Sequence, residues 1–384
     1  MTELERLGDE LRGGRLSRRA FITGCLGVGL SLSGAATLLS ACDSGKPSTE
    51  ASPAPMDTTL PQEITFFNWS DYLDPDLRKK FEAETGVAVK EVYFDTNDDL
   101  LAKMRAGATG YDVLCPGGYI VSIMQKSGML QPIDMSLIPS FSEIMPALQK
   151  PIYDDPDQQD GKKYSVPYMF GTAGIGVRTD KVTEKVTSWT TMWDPKYKGQ
   201  LTMLSSERNA IGEALKYIGY SLNTTDQAEL DEATQKLIEQ KPLVLKYESS
   251  GLPRSMAQGI PLVNCFDGDA SIAQHQLGAE LLDYVVPSEG GLFWVDTLAI
   301  PKDALSPYGA HLFIEFLTKA ANSAQNSGWI GFQTPSDPAF AMIDDPIIQA
   351  LRPTEEQWAA GEIINDLGEF NAAYTDAWTQ VKAA

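Results

Sequence analysis

Residues 63–94 read EITFFNWSDYLDPDLRKKFEAETGVAVKEVYF, and this stretch decides the fold. Residues 63–67 form an apolar run with the composition of a β-strand. The dipeptide Asp74-Pro75 then opens a helix, because aspartate is a favoured N-cap residue and proline suits the first turn, and Gly86 closes it. Residues 87–93 predict a second strand, so the stretch is a strand–helix–strand unit.

The same alternation continues along the chain. The sequence predicts a helix over residues 98–106, a strand over 111–115 and a helix over 121–127, which Gly128 ends. Strands that alternate with helices of about ten residues are typical of right-handed βαβ units on a mostly parallel sheet. The predicted fold class is therefore α/β.

A second block with the same alternation begins near Gly171. Its predicted strands cover residues 174–177, 200–204, 243–247, 261–266, 282–286 and 293–300. Its predicted helices cover residues 209–218, 227–240, 308–319, 323–329, 355–360 and 367–381. Two α/β blocks in one chain predict two lobes with a cleft, and ligands of such sheets bind beyond the carboxyl ends of the strands.

The first 42 residues carry an export pattern. Arg18 and Arg19 precede a Gly- and Ser-rich apolar run over residues 25–39, which ends in Leu-Ser-Ala-Cys42. Paired arginines before such a run are typical of a twin-arginine signal, and the last four residues match a bacterial lipobox. The run is a poor membrane span, because a helix needs about 20 apolar residues to cross the hydrocarbon.

We therefore expect residues 1–41 to be a cleaved signal peptide and Cys42 to carry a lipid. That lipid would tether the protein, periplasmic or extracellular, to the outer face of the cytoplasmic membrane. Residues 42–60 are rich in Pro, Ser and Thr and predict a flexible stalk. This arrangement favours a surface receptor over a metabolic enzyme. The alternative is a chance arginine pair before an ordinary uncleaved anchor.

The composition narrows the classes of partner. The 384-residue chain has a formal net charge of −21 and 43% hydrophobic residues, so it is globular and repels nucleic acid and anionic membrane surfaces. The negative charge modestly favours cationic ligands, although solubility alone would also explain it. We expect no nucleic-acid partner, and the length suits two domains of common size.

The cysteines and histidines do not form the pattern of a metal or catalytic centre. Cys115 and Cys265 are far apart and lack metal-ligand spacing, so we expect buried free thiols in preference to a disulfide. His275 and His311 are the only histidines in the sequence and fall on apparently helical stretches. No metal, cofactor or Ser-His-Asp site is therefore expected.

Aromatic and acidic residues are concentrated near the ends of the predicted strands. They include Trp69, Asp71, Tyr72, Tyr119, Phe266, Asp267, Asp269, Trp294 and Asp296. Aromatic rings attract an alkylammonium group and cover its methylenes, each contact contributing roughly 0.5–2 kcal/mol. A carboxylate hydrogen bond to the ammonium adds about 1.5–3 kcal/mol. The set predicts a site for an organic cation. Taken singly, Trp69 or Trp294 is more often core, and Asp71 or Asp267 is more often a helix cap or turn residue.

Five stretches resemble the spermidine/putrescine-binding receptors of bacterial ABC importers. They are residues 68–72 (NWSDY), 128–134 (GMLQPID), 166–171 (VPYMFG), 193–199 (WDPKYKG) and 289–301 (EGGLFWVDTLAIP). The similarity runs in consistent order from about Ile64 to the C-terminus. It implies a two-lobe type II periplasmic-binding-protein fold and a polyamine held between the lobes. It also implies an ABC permease as membrane partner and a receptor that works as a monomer.

The resemblance implies a division of the chain and a set of site residues. Residues 61–167 and 295–340 would form the first lobe, and residues 171–290 and 341–384 the second. The ligand-binding residues would be Trp69, Ser70, Tyr72, Tyr119, Glu207, Phe266, Asp269, Trp294, Asp296 and Phe332. In this scheme Trp69 and Trp294 stack on the amine, and Asp269 and Asp296 bind its charge.

The chain departs from the spermidine-type pattern at several of these positions. The departures are Ser206 and Asn209 in place of two acids, Phe266 for a tryptophan, Phe332 for a tyrosine and Ile364 for a glutamine. Glu207 is the one acid close to the first two positions. Asp269, three residues after Phe266, is similar to putrescine-type members instead. Fewer polar contacts indicate a shorter or different cation.

Two other functions fit parts of the pattern. A thiaminase-like enzyme would use Cys115 at the cleft as its nucleophile, but no Lys, Arg or His lies nearby in sequence to lower its pKa. A receptor for a sugar would also stack its ligand on aromatic rings, but acids beside rings favour a cation. The sequence therefore predicts a receptor for polyamines, or for another cationic amine, and no enzyme.

Overall fold

The computed structural model of the protein describes residues 56–384. The predicted signal peptide, Cys42 and the stalk up to Pro55 lie outside the described residues. Within the described part, no helix has both the length and the apolar character that crossing a membrane requires.

Residues 56–384 form an α/β structure, as predicted. Its strands are β1 (Glu63–Trp69), β2 (Ala88–Phe94), β3 (Val113–Leu114), β4 (Ser165–Arg178), β5 (Leu201–Met203), β6 (Val244–Tyr247), β7 (Leu262–Phe266), β8 (Leu282–Val285), β9 (Leu292–Ala299) and β10 (Glu362–Ile363). Its α-helices are α1 (Pro75–Thr85), α2 (Asn97–Arg105), α3 (Gly118–Lys126), α4 (Pro146–Gln149), α5 (Glu207–Tyr217), α6 (Gln227–Gln240), α7 (Leu252–Ala257), α8 (Asp267–Leu277), α9 (Pro307–Thr318), α10 (Ala320–Ile330), α11 (Asp337–Phe340), α12 (Pro346–Ala350), α13 (Glu355–Ala360) and α14 (Asn371–Ala383).

The first parallel group contains β1, β2 and β3, with β1 in the middle. Helix α1 connects β1 to β2 and has the predicted ends. The Asp74 carboxylate accepts the N–H of Asp76 at 2.8 Å, and Gly86 has a φ of 75°, in the left-handed region that glycine tolerates. The residues that follow β1 therefore lie at the carboxyl edge of this group.

The second parallel group contains β5, β6 and β7, with β5 in the middle. Helix α5 begins shortly after β5, and helix α8 begins directly after β7. The first turns of these two helices therefore lie at the carboxyl edge of the second group, where open α/β sheets bind their ligands.

The antiparallel strands β4 and β9 join the two groups. They pair from Ser165 with Ala299 to Ala173 with Leu292. β9 also pairs with β3 of the first group, and the remainder of β4 pairs with β7 of the second group and with β8. The sheet therefore passes from one group to the other within β4, close to Gly171.

The sheet is mixed, which corrects the expectation of a mostly parallel sheet. The pairings of β4 with its neighbours and of β3 with β9 are antiparallel. β4 has 14 residues, all buried, whereas the sequence predicts a strand only over residues 174–177. Its first half is hidden in the sequence because Pro167 and Gly171 interrupt the run and because a strand buried on both faces does not alternate.

Most other predicted elements are confirmed to within a few residues. The helices predicted over 227–240 and 355–360 have those bounds. The strand predicted over residues 111–115 is reduced to Val113–Leu114, and the next helix begins earlier than predicted, at Gly118. The last helix begins at Asn371, after a short 3-10 turn, and not at residue 367.

Aromatic side chains pack the first parallel group against its helices. Phe313 of α9 lies edge-on to Phe66 of β1 and to Phe81 of α1, with ring centroids 5.3 and 5.0 Å apart. All three rings are buried. Edge-to-face pairs of this kind add to the burial free energy and fix the position of β1.

The cysteines and histidines have structural surroundings, as predicted. Cys115 and Cys265 are buried and not joined in a disulfide. His311 accepts the backbone N–H of Asp134 through Nε2 at 2.9 Å. His275 lies on α8, and its Nε2 is 2.8 Å from the Asp345 carboxylate.

Glu213 of α5 makes stability depend on pH. It is fully buried, and its Oε1 accepts a hydrogen bond from Asn264 at 2.9 Å. Burial raises its pKa to about 8. The folded protein thus keeps a proton that the unfolded chain loses above the ordinary pKa of 4.5. The free energy of unfolding therefore falls between these two pH values, by up to about 1.4 kcal/mol per pH unit.

Glu213→Gln should make this fall of stability with pH less steep, because glutamine keeps the acceptor for Asn264 and has no proton to lose. Urea denaturation of both proteins at pH values between 5 and 8 measures it. Glu356→Gln, a change at an exposed position, is the matched control and should keep the wild-type trend. An unchanged trend in the Glu213 variant would contradict the assignment.

Candidate functional site

Asp296 of β9 lies at the centre of the predicted site residues. Its Oδ2 accepts a hydrogen bond from the Tyr72 hydroxyl at 2.8 Å. Its backbone lies opposite Met169 in β4 and forms an isolated bridge with Gly117. Burial raises the pKa of Asp296 to about 7, and the bond from Tyr72 lowers it only in part. Near neutral pH this carboxyl group is therefore poised between its two forms.

Four aromatic rings form a continuous group next to Asp296. The ring centroid of Phe332 lies 4.9 Å from that of Trp294 and 5.9 Å from that of Tyr72. Phe266, at the end of β7, lies edge-on to Trp294 at 6.2 Å. The structure thus brings together five of the predicted residues, which are separated by up to 260 positions in the sequence.

Gly268 allows helix α8 to approach these rings. A Cβ atom at this position would lie 2.2 Å from the ring of Phe332, a distance that no side chain can adopt without displacing its neighbour. Phe332 is therefore held against the first turn of α8, and Phe266 against Trp294.

Asp269 lies in the first turn of α8, three residues after Phe266. Burial raises its pKa to about 7, and the charge of Glu248 adds to this, while the backbone amide of Phe266 acts in the opposite direction. Asp269 is therefore a second acid with a raised pKa, one residue after the Gly268 that approaches the Phe332 ring.

Tyr119 and Glu207 lie at another edge of the site. Burial, followed by the charge of Asp98, raises the pKa of Tyr119 above its ordinary value, and Arg208, Glu207 and Asp296 also act on it. Glu207, at the start of α5, accepts a hydrogen bond from the Thr375 hydroxyl at 3.2 Å. Burial raises the pKa of Glu207 as well.

Trp69 and Ser70 are less closely associated with the aromatic group. The ring of Trp69 packs against Phe94 of β2, with centroids 4.4 Å apart, and its Nε1 is buried without a hydrogen-bond partner in the described part. Ser70 is exposed. The chain turns at Asp71, which has a left-handed φ of 54°, and this turn directs Tyr72 back towards Asp296.

Asp267 is a candidate that, taken alone in the sequence, is more often a helix cap or turn residue than a ligand. It is fully buried, and neither carboxylate oxygen has a hydrogen-bond partner among residues 56–384. Burial raises its pKa well above the ordinary value. The one feature of the sequence that points to Asp267 as a site residue is its position directly after Phe266, an aromatic residue of the predicted site.

The arrangement suits the binding of an organic cation. Carboxyl groups surrounded by rings offer both charge and flat apolar faces, which an alkylammonium group needs. Among the described residues, no cluster of His, Cys, Asp or Glu side chains has an arrangement that could hold a metal ion. Cys115 is fully buried, and burial followed by the charge of Asp296 raises its pKa well above the ordinary value. A thiol in that state is a poor nucleophile.

An α/β structure with this topology and site is that of a solute-binding protein. The chain belongs to the family described as bacterial extracellular solute-binding protein, whose profile matches residues 76–351. It is 36% identical over 326 residues to the spermidine/putrescine-binding periplasmic protein of Escherichia coli K12, a match that covers 83% of this chain and 91% of that protein.

Solved structures confirm the fold. The substrate-binding protein of a spermidine/putrescine ABC transporter from Streptococcus pneumoniae superposes with a TM-score of 0.76 at 30% identity, covering 84% of this chain and 99% of that one. A lipoprotein of Treponema pallidum gives 0.76 at 29% identity and covers 83% and 99%. The fold is therefore the two-lobe type II periplasmic-binding-protein fold, as the resemblance implied.

Tyr72→Phe should raise the pKa of Asp296 above about 7, because the hydroxyl bond that favours the ionised form is lost. A hydrogen bond to a charged group is worth about 1.5–3 kcal/mol, which corresponds to about one pKa unit or more. Carboxyl-carbon NMR titration measures the change. Tyr93→Phe, at an exposed tyrosine of β2, is the control. The same Asp296 pKa in both variants would disprove the role of Tyr72.

Proposed function

We propose that the protein is the substrate-binding receptor of an ABC importer, which captures polyamines such as putrescine or spermidine and delivers them to a membrane permease. Membership of the solute-binding family supports this, as do the relatives described as spermidine/putrescine-binding. One observation carries the proposal: Asp296 accepts the Tyr72 hydroxyl, and the ring of Phe332 packs against the rings of both Tyr72 and Trp294. The receptor works as a monomer, without cofactor, metal or nucleic acid.

The charge of the site favours an amine over a sugar. Asp269 and Asp296 both have pKa values raised to about 7 by burial, and an ammonium group supplies the opposite charge that stabilises their ionised forms. A neutral sugar carries no positive charge and would not stabilise the ionised forms of these buried carboxyl groups. The buried thiol of Cys115 likewise argues against a thiaminase-like reaction.

Closure of two lobes around the ligand is the proposed mechanism. Residues 61–167 with 295–340 form the first lobe, and residues 171–290 with 341–384 the second. Strands β4 and β9 connect them, and Tyr72 and Phe266 come from opposite sides. Because contacts from both lobes are made together only in the closed form, the ligand shifts the population towards closure. The permease then recognises the closed form.

Export and lipid attachment complete the proposal. The receptor acts at the outer face of the cytoplasmic membrane, tethered through Cys42 after removal of residues 1–41. The periplasmic relatives and the lipoprotein of Treponema pallidum support this location.

Asp296→Asn should weaken putrescine binding at least about tenfold, since one charge-assisted hydrogen bond is lost, and should leave the fold intact. Calorimetric titration with putrescine, spermidine, agmatine and a disaccharide measures affinity and selectivity together. Asp283→Asn, at an exposed aspartate of β8, is the matched control. Equal putrescine affinity in the two variants would refute the site, and tight binding of the disaccharide alone would refute the polyamine function.

The affinity for putrescine should rise with pH between about 6 and 8. The carboxyl group of Asp296 has a pKa raised to about 7, and only its ionised form binds an ammonium group. Below that pKa the ligand must displace a proton, which costs affinity, and above it this cost disappears. Titration at several pH values tests the trend, and an affinity that falls over this range would contradict it.

A further inference from the structure

Asp267 is a buried acid that the mechanism above does not use. It begins α8, is fully buried, and has no hydrogen-bond partner for either carboxylate oxygen within residues 56–384. The backbone amides of Gly268 and Thr172 favour its charge, but neither makes a hydrogen bond of normal geometry with it. A buried carboxylate left in this condition is unfavourable unless a partner of opposite charge is provided.

The carboxylate of Asp267 lies over Gly171 and against Trp294. A Cβ atom at Gly171 would lie 2.3 Å from Oδ1 of Asp267 and 2.5 Å from Cζ2 of Trp294. Glycine is therefore required at this position of β4. The same contact shows that the acid and the indole meet at one point of the sheet.

Asp267 and Asp296 share a face of the sheet. Gly171 is paired directly with Trp294, and directly paired residues project to the same face. Asp296 follows Trp294 by two residues and therefore projects to that face as well. Asp267 lies beside Trp294, and Asp296 lies two residues further along β9, a spacing of about 7 Å between the backbone positions of Trp294 and Asp296.

The groups that face Asp267 do not neutralise it. They are Asp269 on the same helix, Cys265 from β7, Tyr284 from β8 and Trp294 from β9, and none is a cation. The Tyr284 hydroxyl already bonds to Thr172 at 2.8–2.9 Å. The indole Nε1 of Trp294 is also buried without a partner in the described part. The carboxylate of Asp267 and the indole N–H of Trp294 are therefore neighbouring polar groups that both lack a hydrogen-bond partner in the described part.

We propose that Asp267 binds a second ammonium group of the ligand. In a linear diamine whose first ammonium is bound by Asp296, the alkyl chain lies along Trp294 and the second ammonium reaches Asp267. This inference rests on the polyamine function proposed above and adds a specificity to it. The site selects short diamines over monoamines of the same length.

Binding at Asp267 releases a proton. Burial raises the pKa of Asp267 well above its ordinary value, so burial favours the protonated form of this carboxyl group in the free protein. The incoming ammonium stabilises the ionised form, and the proton passes to the solvent. Asp269 and Asp296, with pKa values raised to about 7, also release protons. The contribution of Asp267 is therefore the difference between the wild type and a variant without this acid.

Asp267→Asn tests the proposal, because asparagine keeps the shape and removes the charge. Calorimetry in buffers of different ionisation enthalpy gives both the affinity and the number of protons released. We expect the variant to bind putrescine at least about tenfold more weakly and to release fewer protons. Its affinity for butylamine, which has one ammonium group, should stay within about threefold of the wild type. Asp283→Asn should match the wild type with both amines.

Four outcomes would overturn the proposal. If the wild type binds putrescine and Asp267→Asn retains both its affinity and its proton release, the role of Asp267 is wrong and the polyamine function stands. An equal loss for putrescine and butylamine would indicate a structural role. If the wild type binds neither amine, the proposed function is wrong as well. Carboxyl-carbon NMR of wild-type Asp267 with and without putrescine provides a measurement that needs no variant, and a carboxyl group that stays protonated would refute the proposal.

Discussion

The pairing of β4 with β9 is the constraint on which the rest of the structure depends. It joins the two parallel groups and sets Trp294 opposite Gly171 and Asp296 opposite Met169. Because side chains alternate along a strand, a slip of one residue would turn both Trp294 and Asp296 to the other face. Every residue of β4 is buried, so such a slip would place side chains of the wrong size and polarity in the packed core on both faces of the strand. The register that positions the site is thus fixed by the core.

Burial, more than any single neighbour, sets the electrostatics of the site. It is the largest cause of the raised pKa values of Asp267, Asp269 and Asp296. The start of α8 would by itself favour negative charge, because backbone N–H groups point towards it. The loss of water outweighs this effect at Asp267 and Asp269. Acids held in this way are costly for stability, and groups of such acids are found preferentially at functional sites.

Local signals in the sequence predicted most helices and strands. The contacts between side chains that lie far apart in the sequence could not be predicted in the same way. Helix α1 was predictable because Asp74 and Gly86 act within one turn of its ends. The bond from Tyr72 to Asp296 crosses 224 positions; the strand-end pattern and the family resemblance placed both residues in one site, but neither predicted this bond. Asp267 reads as a turn residue because the strand residues that bury it lie far from it in the sequence. The stacking role of Trp69 stays a prediction, since its ring packs on Phe94.

The contact between Gly268 and Phe332 has a mechanical consequence. These residues belong to different lobes in the proposed division, and no atom larger than hydrogen fits between them. A single methyl group at position 268 would clash with Phe332 and would prevent the two proposed lobes from closing fully. One substitution that touches no charged group would therefore shift the balance between the open and closed forms of the receptor. The ligand concentration needed to close it for the importer would change with that balance.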